Sequence, residues 1–100
     1  MASKAQKRLF KRDFKNNAAR RHPIYFEGKV VGTLNDPNID NYWMFGTWTP
    51  ILGKHYDSFL DTIRTTEEGK VIIGNNSPPQ KGIVRTVPDD TIEINIALSW

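Results

Sequence analysis

Leu52-Gly53-Lys54-His55-Tyr56-Asp57-Ser58-Phe59-Leu60-Asp61-Thr62-Ile63-Arg64-Thr65 is the stretch that decides the fold. Its apolar residues Leu52, Tyr56, Phe59, Leu60 and Ile63 recur at steps of four, three, one and three. That is the period of a helix face, and it predicts one amphipathic helix over about residues 53–65. Lys54, Asp57, Asp61 and Arg64 fall outside the stripe and face water. Gly69 stands just beyond the last turn, where a glycine commonly ends a helix.

On either side of this helix the pattern is extended. Upstream, Ile24-Tyr25-Phe26 and Val30-Val31-Gly32-Thr33-Leu34 flank Glu27-Gly28-Lys29, which reads as a tight hairpin. Asn35-Asp36-Pro37-Asn38 is dense in turn formers and is expected to end the second strand. Residues 42–49 form a third strand that Pro50 stops, with Gly46 marking a bulge or a close backbone approach. Downstream, strands are expected over 70–74 and 82–87, separated by the polar loop 75–81. In residues 91–100, Ile92, Ile94, Ile96, Leu98 and Trp100 alternate with polar or small residues, so a long strand with one buried face is expected.

The resulting order is βββ-α-βββ. The fold class is α+β: a mostly antiparallel, curled sheet of five or six strands packed on one amphipathic helix. A chain of 100 residues makes one domain at most. A basic N-terminal arm (1–22), helical or disordered, precedes a single domain at 23–100.

Charge divides the chain in the same way. Residues 1–21 hold eight basic side chains against Asp13 alone, a net +7, while residues 22–100 hold six basic and ten acidic side chains, a net −4. The overall +3 therefore describes neither part. Lys4, Lys7, Arg8, Lys11, Arg12 and Lys15 follow a three-and-four rhythm that would place a basic stripe on a helix over about residues 5–15. Phe10 and Phe14 lie between them, one turn apart. Cations interleaved with aromatic rings suit a phosphate backbone and its bases. The expected function is a non-enzymatic binding or regulatory module, with nucleic acid or an acidic protein as its partner. Lys7, Arg8, Lys11, Arg12, Lys15, Arg20 and Arg21 would make the contact. A tail that keeps the body soluble, or that folds back on it, is the competing reading.

Tyr42-Trp43-x-Phe45-x-x-Trp48 places four aromatics in seven residues. On a strand, Trp43 and Phe45 share one face while Tyr42, Met44 and Trp48 share the other. One face belongs to the core, or else Tyr42, Trp43 and Trp48 form a contact surface for bases, sugars or a partner's side chains. A small-ligand or catalytic cleft near Trp43, Trp48, His55 and Tyr56 is the alternative function. The surrounding pattern is Gly28-x-x-x-Gly32-x-Leu34-x-x-Pro37, Asp40, then Trp43-x-x-Gly46-x-Trp48-x-Pro50. It resembles small uncharacterised bacterial α+β proteins over about a quarter of the chain. The resemblance implies a fold unit and brings no activity with it.

The remaining chemistry is sparse. With no cysteine there is no disulfide, thiolate metal site or cysteine nucleophile. Asp36-x-Asn38-x-Asp40 spaces oxygens like half a calcium loop, but Pro37 interrupts it and Thr47 stands where a bidentate glutamate belongs. His55 lies near Asp57 and Ser58 with no third group to orient a base. Asp57 and Asp61, one turn apart, are expected to make solvated ion pairs with Lys54 and Arg64 rather than to act as an acid–base pair. Gly28-x-x-x-Gly32 lacks the lysine of a phosphate loop. No catalytic residue, cofactor or metal is therefore expected. The arm contains no apolar leader core, and no run approaches a membrane span, so a cytoplasmic location without membrane contact is expected. Strand 91–100 would be an open edge unless paired, which raises a homo-oligomer.

Overall fold

The computed structural model describes residues 21–75, 79–97 and 100. Strands β1 (Arg21–Phe26), β2 (Lys29–Asp40) and β3 (Trp43–Pro50) precede helix α1 (Lys54–Thr66). Strands β4 (Gly69–Ile73), β5 (Gln80–Val84) and β6 (Thr91–Asn95) follow it. All pairings are antiparallel, and the sheet closes on itself in the order β1-β2-β3-β6-β5-β4. This replaces the expected curled sheet with a barrel. Closure comes from β1 pairing with β4 (Ile24 opposite Ile73) and from β3 pairing with β6 (Met44 opposite Ile94).

Closure gives residues 91–95 of the expected edge strand a neighbour on each side. β6 lies between β3 and β5, though its ladder with β5 is the single pair Ile83–Asn95. β6 is shorter than the alternation suggested. It ends where the Asn95 side-chain oxygen accepts the Ala97 N–H at 2.9 Å.

Alternation places Ile24, Phe26, Leu34, Met44, Trp48, Val71, Ile73, Val84, Ile92 and Ile94 inside the barrel, and the register shift between β1 and β2 brings Val31 in with them. The helix runs between the end of β3 and the start of β4, so it lies across one end of the barrel and adds Tyr56, Phe59 and Ile63 to the core. Two helix contacts fix its pose. The Phe59 and Phe26 ring centroids are 5.1 Å apart, and His55 donates from Nε2 to the Phe26 carbonyl at 2.8 Å.

A six-stranded barrel has a narrow interior, and large inward residues need small ones opposite. Trp48 lies over Gly32, where a Cβ would come 2.5 Å from the Trp48 Cζ2 and 2.8 Å from the Thr49 carbonyl. Gly46 is the close approach expected of it: a Cβ there would sit 2.6 Å from the Asn35 carbonyl.

The turns differ from expectation at one place. Glu27-Gly28 is a two-residue hairpin turn with both residues at positive φ (53° and 83°), the backbone that suits the twist of the flanking strands. Asn35-Asp36-Pro37-Asn38, however, does not end β2. The pairing with β3 shifts register between Asn35 and Asn38, Asp36 takes a left-handed φ of 49°, and Pro37 turns into the core. The four turn formers make a bulge, and the chain reverses only at Asn41 (φ 58°). At the other end, β1 opens at Arg21 and includes the buried His22, so the folded body begins before residue 23.

The helix ends at Glu67, ahead of Gly69. Glu67 is left-handed (φ 61°), and its N–H bonds the Ile63 carbonyl at 2.8 Å. A Cβ is unfavourable in that backbone. Glu67→Gly is expected to stabilise the domain by about 0.5–1 kcal/mol, read from denaturant unfolding. No change or a loss would mean that the Glu67 side chain contributes more than its backbone costs.

Candidate binding surfaces

The barrel has two ends with different chemistry. The helix covers the end formed by Phe26, Lys29, Pro50, Gly69, Val84 and Thr91. The opposite end gathers Arg21, Asp40, Trp43, Ile73, Gln80 and Asn95. Arg21, the first described residue, therefore stands at the helix-free end. Arg21 is exposed, and its carbonyl accepts a hydrogen bond from the Asn75 side chain at 2.6 Å, which anchors the exit point. Next to it, His22 donates from Nδ1 to the Gly74 carbonyl at 2.8 Å. Lys7, Arg8, Lys11, Arg12, Lys15 and Arg20 lie outside the described residues.

The aromatic cluster splits between core and surface. Trp48 is 4% exposed, and its indole N–H donates to the Tyr56 hydroxyl at 3.0 Å. Trp43 and Phe45, 37% and 36% exposed, share the outer face of β3, and Tyr42 stands exposed at the hairpin tip. The register places Asp40 opposite Trp43 and Glu93 opposite Phe45. These four residues line a shallow cleft of about 250 Å³, with a carboxylate beside each ring. Trp48 and His55 do not reach it: one lies in the core, and the other holds the helix to Phe26. The strand period in the sequence separates the two aromatic faces. Nothing in the local sequence marks Glu93, whose position depends on β6 pairing with β3.

A second, larger cleft of about 440 Å³ lies at the helix end, lined by Phe26, Glu27, Thr62, Thr66, Glu68, Lys70 and Trp100. Trp100 donates from Nε1 to the Gly82 carbonyl at 3.0 Å, and the Lys81 ammonium sits 4.8 Å from its ring centroid. Glu68 is engaged by Arg85 at 3.9 Å. The lining mixes signs and hydroxyls without a convergent set of donors.

Charge follows the same division. Residues 30–52 and 86–97, which carry most of β2 together with β3 and β6, contain Asp36, Asp40, Asp89, Asp90 and Glu93 and no lysine or arginine. The body's six cations lie at the first residue of β2, on the helix, on β4, on β5 and at the residue after it. The Asp89 carboxyl is held below the ordinary carboxylate range, chiefly because the Thr91 N–H donates to its Oδ1 at 3.1 Å. A depressed folded value gives stability that is complete above the unfolded value and fades as pH falls through the folded one. Asp89 is thus ionised at neutral pH and adds to the acidic flank.

Among the described residues no three His, Asp or Glu side chains are placed to hold a metal ion. No helix among them is long and apolar enough to cross a membrane. A scan against protein-family models finds no match, and searches of the curated proteins and of the solved structures find none either.

Proposed function

We propose that this chain is a non-enzymatic binding module that holds the phosphate backbone of a nucleic acid through its basic segment. Lys7, Arg8, Lys11, Arg12, Lys15, Arg20 and Arg21 are the contacting cations. One observation carries the reading: eight cations against one acid in residues 1–21, joined to a body of net charge −4. Electrostatic attraction for a polyanion has its source in the segment, and the acidic barrel discourages binding anywhere else. The body's role is to present the segment from a fixed point, the end of β1 at Arg21. Nucleic acid is favoured over an acidic protein because duplex DNA carries a charge about every 1.7 Å, a linear density that a row of closely spaced cations matches. Both histidines donate to backbone carbonyls, His22 to Gly74 and His55 to Phe26.

The test is a triple variant, Lys7→Gln/Lys11→Gln/Lys15→Gln, titrated with duplex DNA beside the parent chain. The slope of log K against log salt should become shallower by about 3, at about 0.9 per lost phosphate contact. Thermal unfolding should not change. A slope equal to the parent's would remove the segment from the interface. Tight binding to an acidic protein without binding to DNA would redirect the reading to a protein partner.

A further inference from the structure

We infer that the cleft formed by Asp40, Trp43, Phe45 and Glu93 is a cation-binding site whose resident occupant is a basic side chain from residues 1–20 of the same chain. The chemistry of the cleft is that of a receptor for an ammonium or guanidinium. Two ring faces attract a cation through their quadrupoles, and two carboxylates supply charge-assisted hydrogen bonds. Among the described residues neither carboxylate has a basic partner: the ion pair found there is Arg85–Glu68, on the other side of the barrel. Nor does the acidic flank contain a lysine or arginine of its own to fill the cleft.

Three facts select the occupant. The segment carries seven of the chain's fourteen cations, so charge complementarity is met within the molecule. It joins the barrel at the end where the cleft opens, since Arg21 pairs with Asn35 and the cleft lies five residues further along β2 at Asp40. That separation is about 17 Å at the strand rise of 3.3–3.4 Å per residue. Twenty residues of chain are long enough to span that separation.

The consequence deepens the function proposed above, on which this part rests: the cleft and nucleic acid compete for the same cations. The docking itself does not depend on that reading. The experiment treats the full chain at low micromolar concentration with a carbodiimide, which joins a lysine ammonium to a carboxylate in contact with it. The linked peptides are then mapped by mass spectrometry. Amide links from Lys7, Lys11 or Lys15 to Asp40 or Glu93, within monomers and lost in 0.5 M salt (where the screening length is only about 4 Å), are expected. Links spread evenly over the ten acids of the body, links confined to Asp57, Asp61, Glu67 and Glu68, or no links at all would overturn the inference. As a second readout, Asp40→Asn/Glu93→Gln in the full chain should raise the rate of tryptic cleavage within residues 1–20 about three- to tenfold at low salt. An unchanged rate would also overturn it. Neither readout involves nucleic acid, so a chain that fails to bind DNA yet shows these links would refute the function and leave the docking standing.

Discussion

Phe59→Ala should cost the domain about 3–5 kcal/mol, a large share of the roughly 5–15 kcal/mol that keeps a domain folded. Phe59 is fully buried and links the helix to the barrel. Its ring lies 5.1 Å from that of Phe26 and 6.0 Å from that of Tyr56. Removing it leaves a cavity where the helix meets the barrel, and His55 with its single bond to the Phe26 carbonyl cannot restore the lost packing. Leu60, on the rim of the same face, is only partly buried. Leu60→Ala should therefore cost clearly less than Phe59→Ala. Denaturant unfolding of both variants checks the ranking. Equal losses, or a Phe59→Ala variant within 1 kcal/mol of the parent, would contradict the helix as the closure of the barrel.

Gly32→Ala should be nearly as damaging, at about 3 kcal/mol, by overpacking rather than by a cavity. The new methyl would press on the Trp48 ring and lie 2.8 Å from the Thr49 carbonyl, which belongs to a paired strand and cannot retreat. Trp48 is held as well, through its N–H bond to the Tyr56 hydroxyl. Shrinking the ring gives the methyl room, so Gly32→Ala and Trp48→Phe should be strongly coupled. The double variant should lose at least 1 kcal/mol less than the two single losses combined. Strict additivity would mean that Gly32 is required for some reason other than the indole above it.

Local patterns in the chain predict local structure well. The helix is legible because Tyr56, Phe59 and Ile63 keep a single face, and the first hairpin because Glu27-Gly28 tolerates the backbone its turn demands. Barrel closure is not legible. Ile24 pairs with Ile73 across nearly fifty residues, and an inward-facing isoleucine carries no label for the strand it will meet. The bulge at Asp36 and Pro37 misleads for a related reason. Residues that favour a turn also suit a bulge, and only the continued pairing of Asn38, Ile39 and Asp40 with β3 distinguishes the two. The same limit applies to the cleft. Alternation separates Trp43 and Phe45 from Met44 and Trp48, but Glu93 joins them only through the pairing of β6 with β3. By contrast, the charge division requires no pairing at all and can be read directly from the residues.

The molecule is a barrel that is acidic along β2, β3 and β6, with a basic segment joined to it at Arg21. Function then depends on what those cations meet. The most direct measurement is the salt dependence of binding between the intact chain and duplex DNA. With the seven named cations at phosphates, log K should fall against log salt with a slope approaching about −6, at −0.9 per contact. A slope near zero, or no binding at low salt, would contradict the account.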